Sequence, residues 1–334
     1  MPEILLPAKK HGKCGYINLA GKVVIATEFD ASLPFAEGLG PISLTGKWGY
    51  VNEDGFPVID LVFDSAQTFF NGLAPVMVGG KWGYINTEGN VVIKPVYDGY
   101  SIFSDGLAAI KVDGKQGYIN KRGEMVIPPG FHRAGAFSNG MARVEEAGAV
   151  SYINTSGETI IEGFDYIGKF SEGLAPMMKD GKWGYVNMAG KTVIEPKFGA
   201  ALCFSYGLAP VKDERKYGFI NTMGAFVITP AYDLALEFSE GLAAVGVAGS
   251  TGYINMVGKT VIEPKFRFGA GFSGGFAAVS LRGKWGYVTS SGTLIGKMIF
   301  DEAGQFKNGV ARVKINNKLG YLGTNGKYIW QPSM

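Results

Sequence analysis

The feature that most restricts this chain is that it repeats itself. Read from one tyrosine, the period runs Tyr16, Tyr50, Tyr84, Tyr118, Tyr152, Tyr185, Phe219, Tyr253, Tyr287 and Tyr321, an even step throughout except for a single deletion between Tyr152 and Tyr185. Five residues after each of these positions stands a glycine, from Gly21 and Gly55 through to Gly292 and Gly326. A third ladder reads Phe-x-x-Gly, from Phe35 and Gly38 to Phe306 and Gly309. Ladders in register imply one supersecondary unit per period, each unable to bury its apolar surface alone and therefore stacked on its neighbours. The 334 residues are expected to form a single repeat domain over positions 1–334, although the length alone would suggest about two or three domains.

One period shows what the unit is. Leu73–Val78 alternates as a strand and closes at Gly79-Gly80, and Trp82–Asn86 is a second strand. Thr87-Glu88-Gly89-Asn90 is a tight turn in which glycine takes a positive φ without steric cost. Val91-Val92-Ile93 is a third strand, expected to end at Pro95 because proline cannot donate to a ladder. The crossing from Val96 to Phe103 leaves room for a short fourth strand. No stretch carries apolar residues at helical spacing over three turns, so the chain is all-β, with ten three-stranded antiparallel meanders.

The strand faces limit how the meanders pack. Trp82, Tyr84 and Asn86 point to one side and Gly83 and Ile85 to the other, so both faces are largely apolar. A sheet with one wet face would alternate apolar and polar, so each meander is expected to be covered on both sides by the units before and after it. A closed β-propeller and an open β-solenoid or superhelix both satisfy this. Ten units exceed the usual count of about four to eight blades, which speaks for the open form. An open array, however, usually needs polar capping units, and the first repeat looks ordinary. The closed ring is favoured because it leaves no free edge; an open array could self-associate through its ends.

Composition excludes several classes of function. A net charge of +3 does not point to nucleic acid or an anionic membrane. No run of about 18 apolar residues is present, so no transmembrane span is expected. The opening Met1–Pro7 has neither a long apolar run nor a cleavage-like site, so no signal peptide is expected and the cytoplasm is the default compartment. The two cysteines, Cys14 and Cys203, lie at unrelated repeat positions and do not suggest a disulfide framework. With two histidines besides, ligands for zinc are scarce, and no metal or cofactor is expected.

The segments Gly46-Lys47-Trp48-Gly49-Tyr50-Val51-Asn52, Gly80-Lys81-Trp82-Gly83-Tyr84-Ile85-Asn86, Gly181–Asn187 and Gly283–Val288 resemble the bacterial WG (KWG) repeat family, and the resemblance covers essentially the whole chain. It implies a bacterial, β-rich repeat protein and no particular activity. The motif tryptophan is replaced at Cys14, Gln116, Val150, Tyr217, Thr251 and Leu319.

Candidate contact residues are weighed against plainer roles. The Trp and Tyr ladders could be a stacking platform, but blade-to-blade packing explains them better. The aspartates at 30, 64, 98, 165, 233 and 301 are expected to cap turns through local side-chain to backbone bonds. The lysines at 13, 47, 81, 115, 182, 216, 284 and 318 are expected to be solvated hairpin tips. The pattern breaks in the fourth and fifth repeats, where His132, Arg133, Arg143, Glu145 and Glu146 stand in or beside strands that are otherwise apolar, Val150-Ser151 replaces Trp-Gly, and the single deletion follows. Any specific ligand contact is expected there. No motif sets a nucleophile beside His132, so no catalysis is assigned. The expected function is a non-catalytic scaffold presenting a repeat-built surface or channel to a protein or peptide; the alternative is a glycan- or cell-surface-binding module using rim aromatics.

Overall fold

A computed structural model describes residues 4–331, and all its regular structure is strand. Met1, Pro2 and Glu3 of the amino-terminal stretch read for a leader lie outside the described residues. Contacts divide the chain into two compact units, Met1–Glu162 and Gly163–Met334. Each unit holds five antiparallel sheets, and each sheet is built from strands consecutive in sequence.

The third repeat shows the plan. A two-residue lead strand, Ser65–Ala66, pairs with Ala74–Val78, which pairs with the motif strand Lys81–Ile85, which pairs with the return strand Val91–Tyr97. Eight of the ten sheets have this four-stranded form, so the meander is wider than its three long strands suggest. In the fourth repeat the lead strand is reduced to a single bridge between Gly99 and Lys111. These are blades of the β-propeller type. Among the described residues, all ladder pairing stays inside a repeat. That rules out a β-solenoid within either unit, because solenoid repeats share continuous sheets.

The return strand departs from expectation at its proline. Pro95 does not end the strand, which runs on to Tyr97. Trp82 pairs with Tyr97 and Tyr84 with Ile93, so two steps on the motif strand face four on the return strand. This bulge sits on the sheet's edge, where proline's missing N–H costs no ladder bond. It folds over Gly83: a Cβ there would lie 2.4 Å from the Ile93 carbonyl oxygen and 2.6 Å from the Pro95 nitrogen. The glycine of the motif is therefore a close-approach glycine, not a turn glycine.

The core lies between consecutive sheets, as the two apolar faces require. One slab joins Tyr50, Ile59 and Phe63 to Phe69, Val76 and Ile85 of the next sheet. In the second unit Tyr185, Ile194 and Phe198 meet Phe204, Val211 and Ile220. The recurring tyrosine ties each pair of sheets together. Its ring packs on the Phe of the next Phe-x-x-Gly turn, with centroids 4.9 Å apart for Tyr50 and Phe69 and 4.7 Å for Tyr185 and Phe204. Its hydroxyl donates to a backbone carbonyl half a repeat further on, as Tyr50 does to Gln67 at 2.7 Å and Tyr287 to Gly304 at 2.7 Å. Burial pushes the phenols of Tyr16, Tyr50, Tyr84, Tyr118, Tyr185, Tyr253 and Tyr287 far above their ordinary pKa.

Candidate functional site

Each blade has two rims. On one lie the Asn-x-x-Gly and Phe-x-x-Gly turns; on the other lie the two-residue tips of the hairpin between the first long strand and the motif strand. The first rim is committed to structure. Asn86 accepts its own turn's Asn90 N–H on its side-chain oxygen at 2.8 Å, and equivalent asparagines repeat this. Ser104 donates to the Phe137 carbonyl at 2.6 Å, and the carboxylates of Glu37, Asp105 and Glu172 accept the N–H of Gly72, Gly140 and Gly207 in the following sheets.

The other rim pairs the two charged ladders. Lys47 Nζ lies 2.6 Å from the Asp64 carboxylate, and the same half-repeat spacing joins Lys13 to Asp30, Lys81 to Asp98, Lys216 to Asp233 and Lys284 to Asp301. The second carboxylate oxygen accepts a backbone N–H from the next blade's tip, Gly79 for Asp64 at 2.7 Å and Thr45 for Asp30 at 2.8 Å. Each rung thus runs lysine, carboxylate, tip N–H, from one blade to the next. The bond from lysine, and then that from the tip N–H, holds each of these five carboxyls below the usual range. Neither role expected from the sequence is the one adopted: the aspartates do not cap locally, and these five lysines are not free tips. The constant offset between the lysine and aspartate ladders was the signal available in the sequence.

Between the rungs the tips vary. All have positive φ at the first residue, and in eight of ten the second is glycine, as this kind of hairpin turn requires. The first residue is His11, Thr45, Gly79, Asp113, Ala147, Asp180, Glu214, Ala248, Arg282 or Asn316.

The irregular fourth rung contains the singled-out histidine. His132 stands where the aspartate would be: Lys115 Nζ lies 3.3 Å from its Nε2, and the Ala147 N–H donates to its Nδ1 at 3.2 Å. A neutral imidazole cannot accept from both, so Lys115 lacks the carboxylate its counterparts have. Arg133 sits directly across the ladder from Glu145, and Arg143 lies on the same strand two residues before Glu145. Glu146 alternates to the other face and pairs in register with Ala149. Arg133, Arg143 and Glu145 therefore share one face of the sheet, whereas His132 is engaged in the rung with Lys115 and the Ala147 N–H and Glu146 lies apart. Further along, Ser151 can replace the motif glycine because the return strand is only Thr159–Ile161, with no register partner for Val150 and no bulge to fold over it.

The rest of the surface offers little convergent chemistry. The motif tryptophans are half-buried, and Trp82 lies 4.1 Å from Tyr100, ring to ring. A cavity of about 340 Å³ beside the last sheet is lined by Phe300, Leu322, Tyr328 and Lys297, with Lys297 the one charged side chain of its lining. Cys14 and Cys203 are free thiols. Among the described residues no three His, Cys, Asp or Glu side chains are grouped to hold a metal, and no helix is long and apolar enough to cross a membrane.

Comparison with known proteins agrees with this build. A family described as WG containing repeat matches nine segments, residues 15–48, 48–82, 82–115, 117–148, 151–183, 183–217, 217–249, 252–285 and 285–318. The chain belongs to the WG-repeat family. None of the curated proteins matches it. Among solved structures it is similar to a eukaryotic initiation factor, at 14% identity and a TM-score of 0.53 over 88% of this chain and 95% of that one. It is also similar to Hsv2p of Kluyveromyces lactis, at 10% identity and a TM-score of 0.43 over 70% of this chain and 95% of that one. At 14% identity the likeness to the initiation factor concerns the fold alone.

Proposed function

We propose that this WG-repeat chain is a non-catalytic binding scaffold that presents its hairpin-tip rim to a protein or peptide partner. The observation that carries the reading is the contrast between a constant frame and variable tips. The buried tyrosine and most Lys–Asp rungs recur, whereas the first tip residue is acidic, basic, polar or absent from one blade to the next. A rigid frame with side chains free to vary is how repeat arrays build extended recognition surfaces.

Two further features support it. The rung aspartates are held low by the lysine and tip N–H bonds that join blades, and the buried tyrosines are held high by burial between sheets, so both sets of shifts have structural causes. The glycan reading needs open aromatic faces, and Trp82 and Trp183 instead pack against Tyr100 and Tyr166.

Site-specific photo-crosslinking in extracts of the source cells tests the proposal. Crosslinkers at tip positions 45, 113 and 248 are expected to give discrete protein adducts that the unlabelled chain competes away. Crosslinkers at Glu88 and Met223, on the opposite rim, are expected to give none. Equal labelling from both rims, or none from the tips, overturns it.

A further inference from the structure

Two rungs of the second unit lack their carboxylate. In the sixth repeat Gly199 occupies the aspartate position, so Lys182 and the N–H of the next tip residue, Glu214, have no acid between them. Gly199 otherwise keeps the rung's backbone, its N–H donating to the Lys212 carbonyl at 2.8 Å as Asp233 does to Gly246. In the eighth repeat Arg267 replaces the aspartate and Ser250 replaces the lysine. Arg267 holds the rung backbone as well, donating to Ser280 at 2.7 Å, and its guanidinium lies over Phe268 at 5.4 Å and beside the tip at Gly249. Among the described residues neither Lys182 nor Arg267 forms an ion pair, and the tip N–H groups of Glu214 and Arg282 have no acceptor.

We infer that these two rungs are carboxylate-docking slots for an acidic peptide segment. At an intact rung of the same unit, a carboxylate is held between Lys216 Nζ and the Ala248 N–H, the latter at 2.9 Å. The Gly199 rung presents the same two donors with no acceptor of its own; the Arg267 rung presents a guanidinium, the Arg282 N–H and the Arg282 side chain. Charge-assisted bonds of this kind are the stronger class of hydrogen bond. The two slots are separated by one intact, neutral rung. With sheets packed about 10 Å apart, they lie about 20 Å from each other, the span of about six extended residues. The ligand is therefore a peptide segment with acidic side chains about six positions apart, a spacing that an oligoglutamate contains. Glu214 and Asp213 are exposed beside the first slot and penalise acids that approach off the rung.

This inference rests on the scaffold reading, but the two fail differently. The probe is a labelled deca-glutamate peptide, with deca-glutamine as its neutral counterpart, titrated into the full chain by fluorescence anisotropy. The variant Gly199→Asp with Arg267→Asp returns a carboxylate to both rungs from within. A Cβ at Gly199 meets only the Lys212 and Glu214 carbonyl oxygens, at 3.6 and 4.0 Å, and its φ is not left-handed, so aspartate fits. The double variant is expected to melt no lower than the parent chain and to bind deca-glutamate at least tenfold more weakly, while deca-glutamine binds neither. Equal deca-glutamate binding by parent and variant, equal binding of the two peptides, or duplex DNA displacing deca-glutamate at lower concentration each overturns the assignment. A double variant that still captures the partners crosslinked at the tips refutes the slots and leaves the scaffold standing.

Discussion

Replacing the motif glycine at position 83 by alanine tests the account of the bulge most directly. The new Cβ would lie 2.4 Å from the Ile93 oxygen and 2.6 Å from the Pro95 nitrogen, against an ordinary contact beginning at 3.4 Å. Both obstacles are backbone, so no rotamer change relieves them, and the bulge has to move by about 1 Å. Overpacking in a tight interior costs about 1–3 kcal/mol, and the absence of a flexible partner places Gly83→Ala near the top, at about 3 kcal/mol. For a unit of 162 residues, 1 kcal/mol shifts the melting temperature by about 2–4 °C. The expected fall is therefore about 6–12 °C in a calorimetric scan of the full chain, with faster amide exchange concentrated in strands 81–85 and 91–97. Gly130→Ala is the matched control, since its Cβ meets nothing within 4 Å and its φ is not left-handed. It is expected to be neutral or to stabilise by about 0.4–1 kcal/mol through the unfolded chain. A Gly83→Ala protein melting within about 2 °C of the parent would refute the close-approach role.

Tyr50→Phe leaves the Gln67 carbonyl without its donor and is expected to cost about 1–2 kcal/mol; Phe219→Tyr, which offers a hydroxyl to the corresponding carbonyl of Leu236, is expected to shift the melting temperature the opposite way. The seven buried tyrosines have raised folded pKa values, so their contribution is intact below about pH 10, the unfolded value, and is lost as pH rises above it. Each adds a slope of about 1.4 kcal/mol per pH unit there, and the tyrosinate absorbance of these seven, beyond that of exposed tyrosines such as Tyr206, is expected to appear together with loss of β-sheet circular dichroism rather than before it. The rung aspartates have depressed folded pKa values, so their contribution is present above about pH 4 and lost as pH falls below it. Asp30, Asp64 and Asp98 all changed to Asn are expected to narrow the gap between melting temperatures measured at about pH 7 and about pH 3; an unchanged gap would show that the rungs do not contribute.

Several features were legible because local chemistry decides them. The period, the all-β class, the strand pairs and the Gly turns follow from residues close together in sequence. Double-sided burial followed from strand faces that are apolar both ways, and Tyr84 and Ile85, on opposite faces, are both buried. The breach at His132–Glu146 was also visible as a departure from a regular pattern; in the structure His132 takes the rung position and Arg133 pairs with Glu145.

Other features depended on a neighbouring blade. Pro95 looked like a terminator because proline lacks an N–H, but on an edge strand that N–H is not needed, and only the sheet order places it on the edge. Gly83 carries no side chain because its own sheet's return strand bulges across it, a contact that the motif strand alone does not reveal. Lysine looked like a solvated tip and aspartate like a local turn cap because the partners stand half a repeat apart in sequence and their contact ends on an N–H of the next blade. The sequence alone determined the unit and its repetition, since these rest on backbone preference and apolar patterning within a single period. Which side chains bind one blade to the next, and which rungs are left without an acid, was decided only when stacking brought distant residues within hydrogen-bond reach.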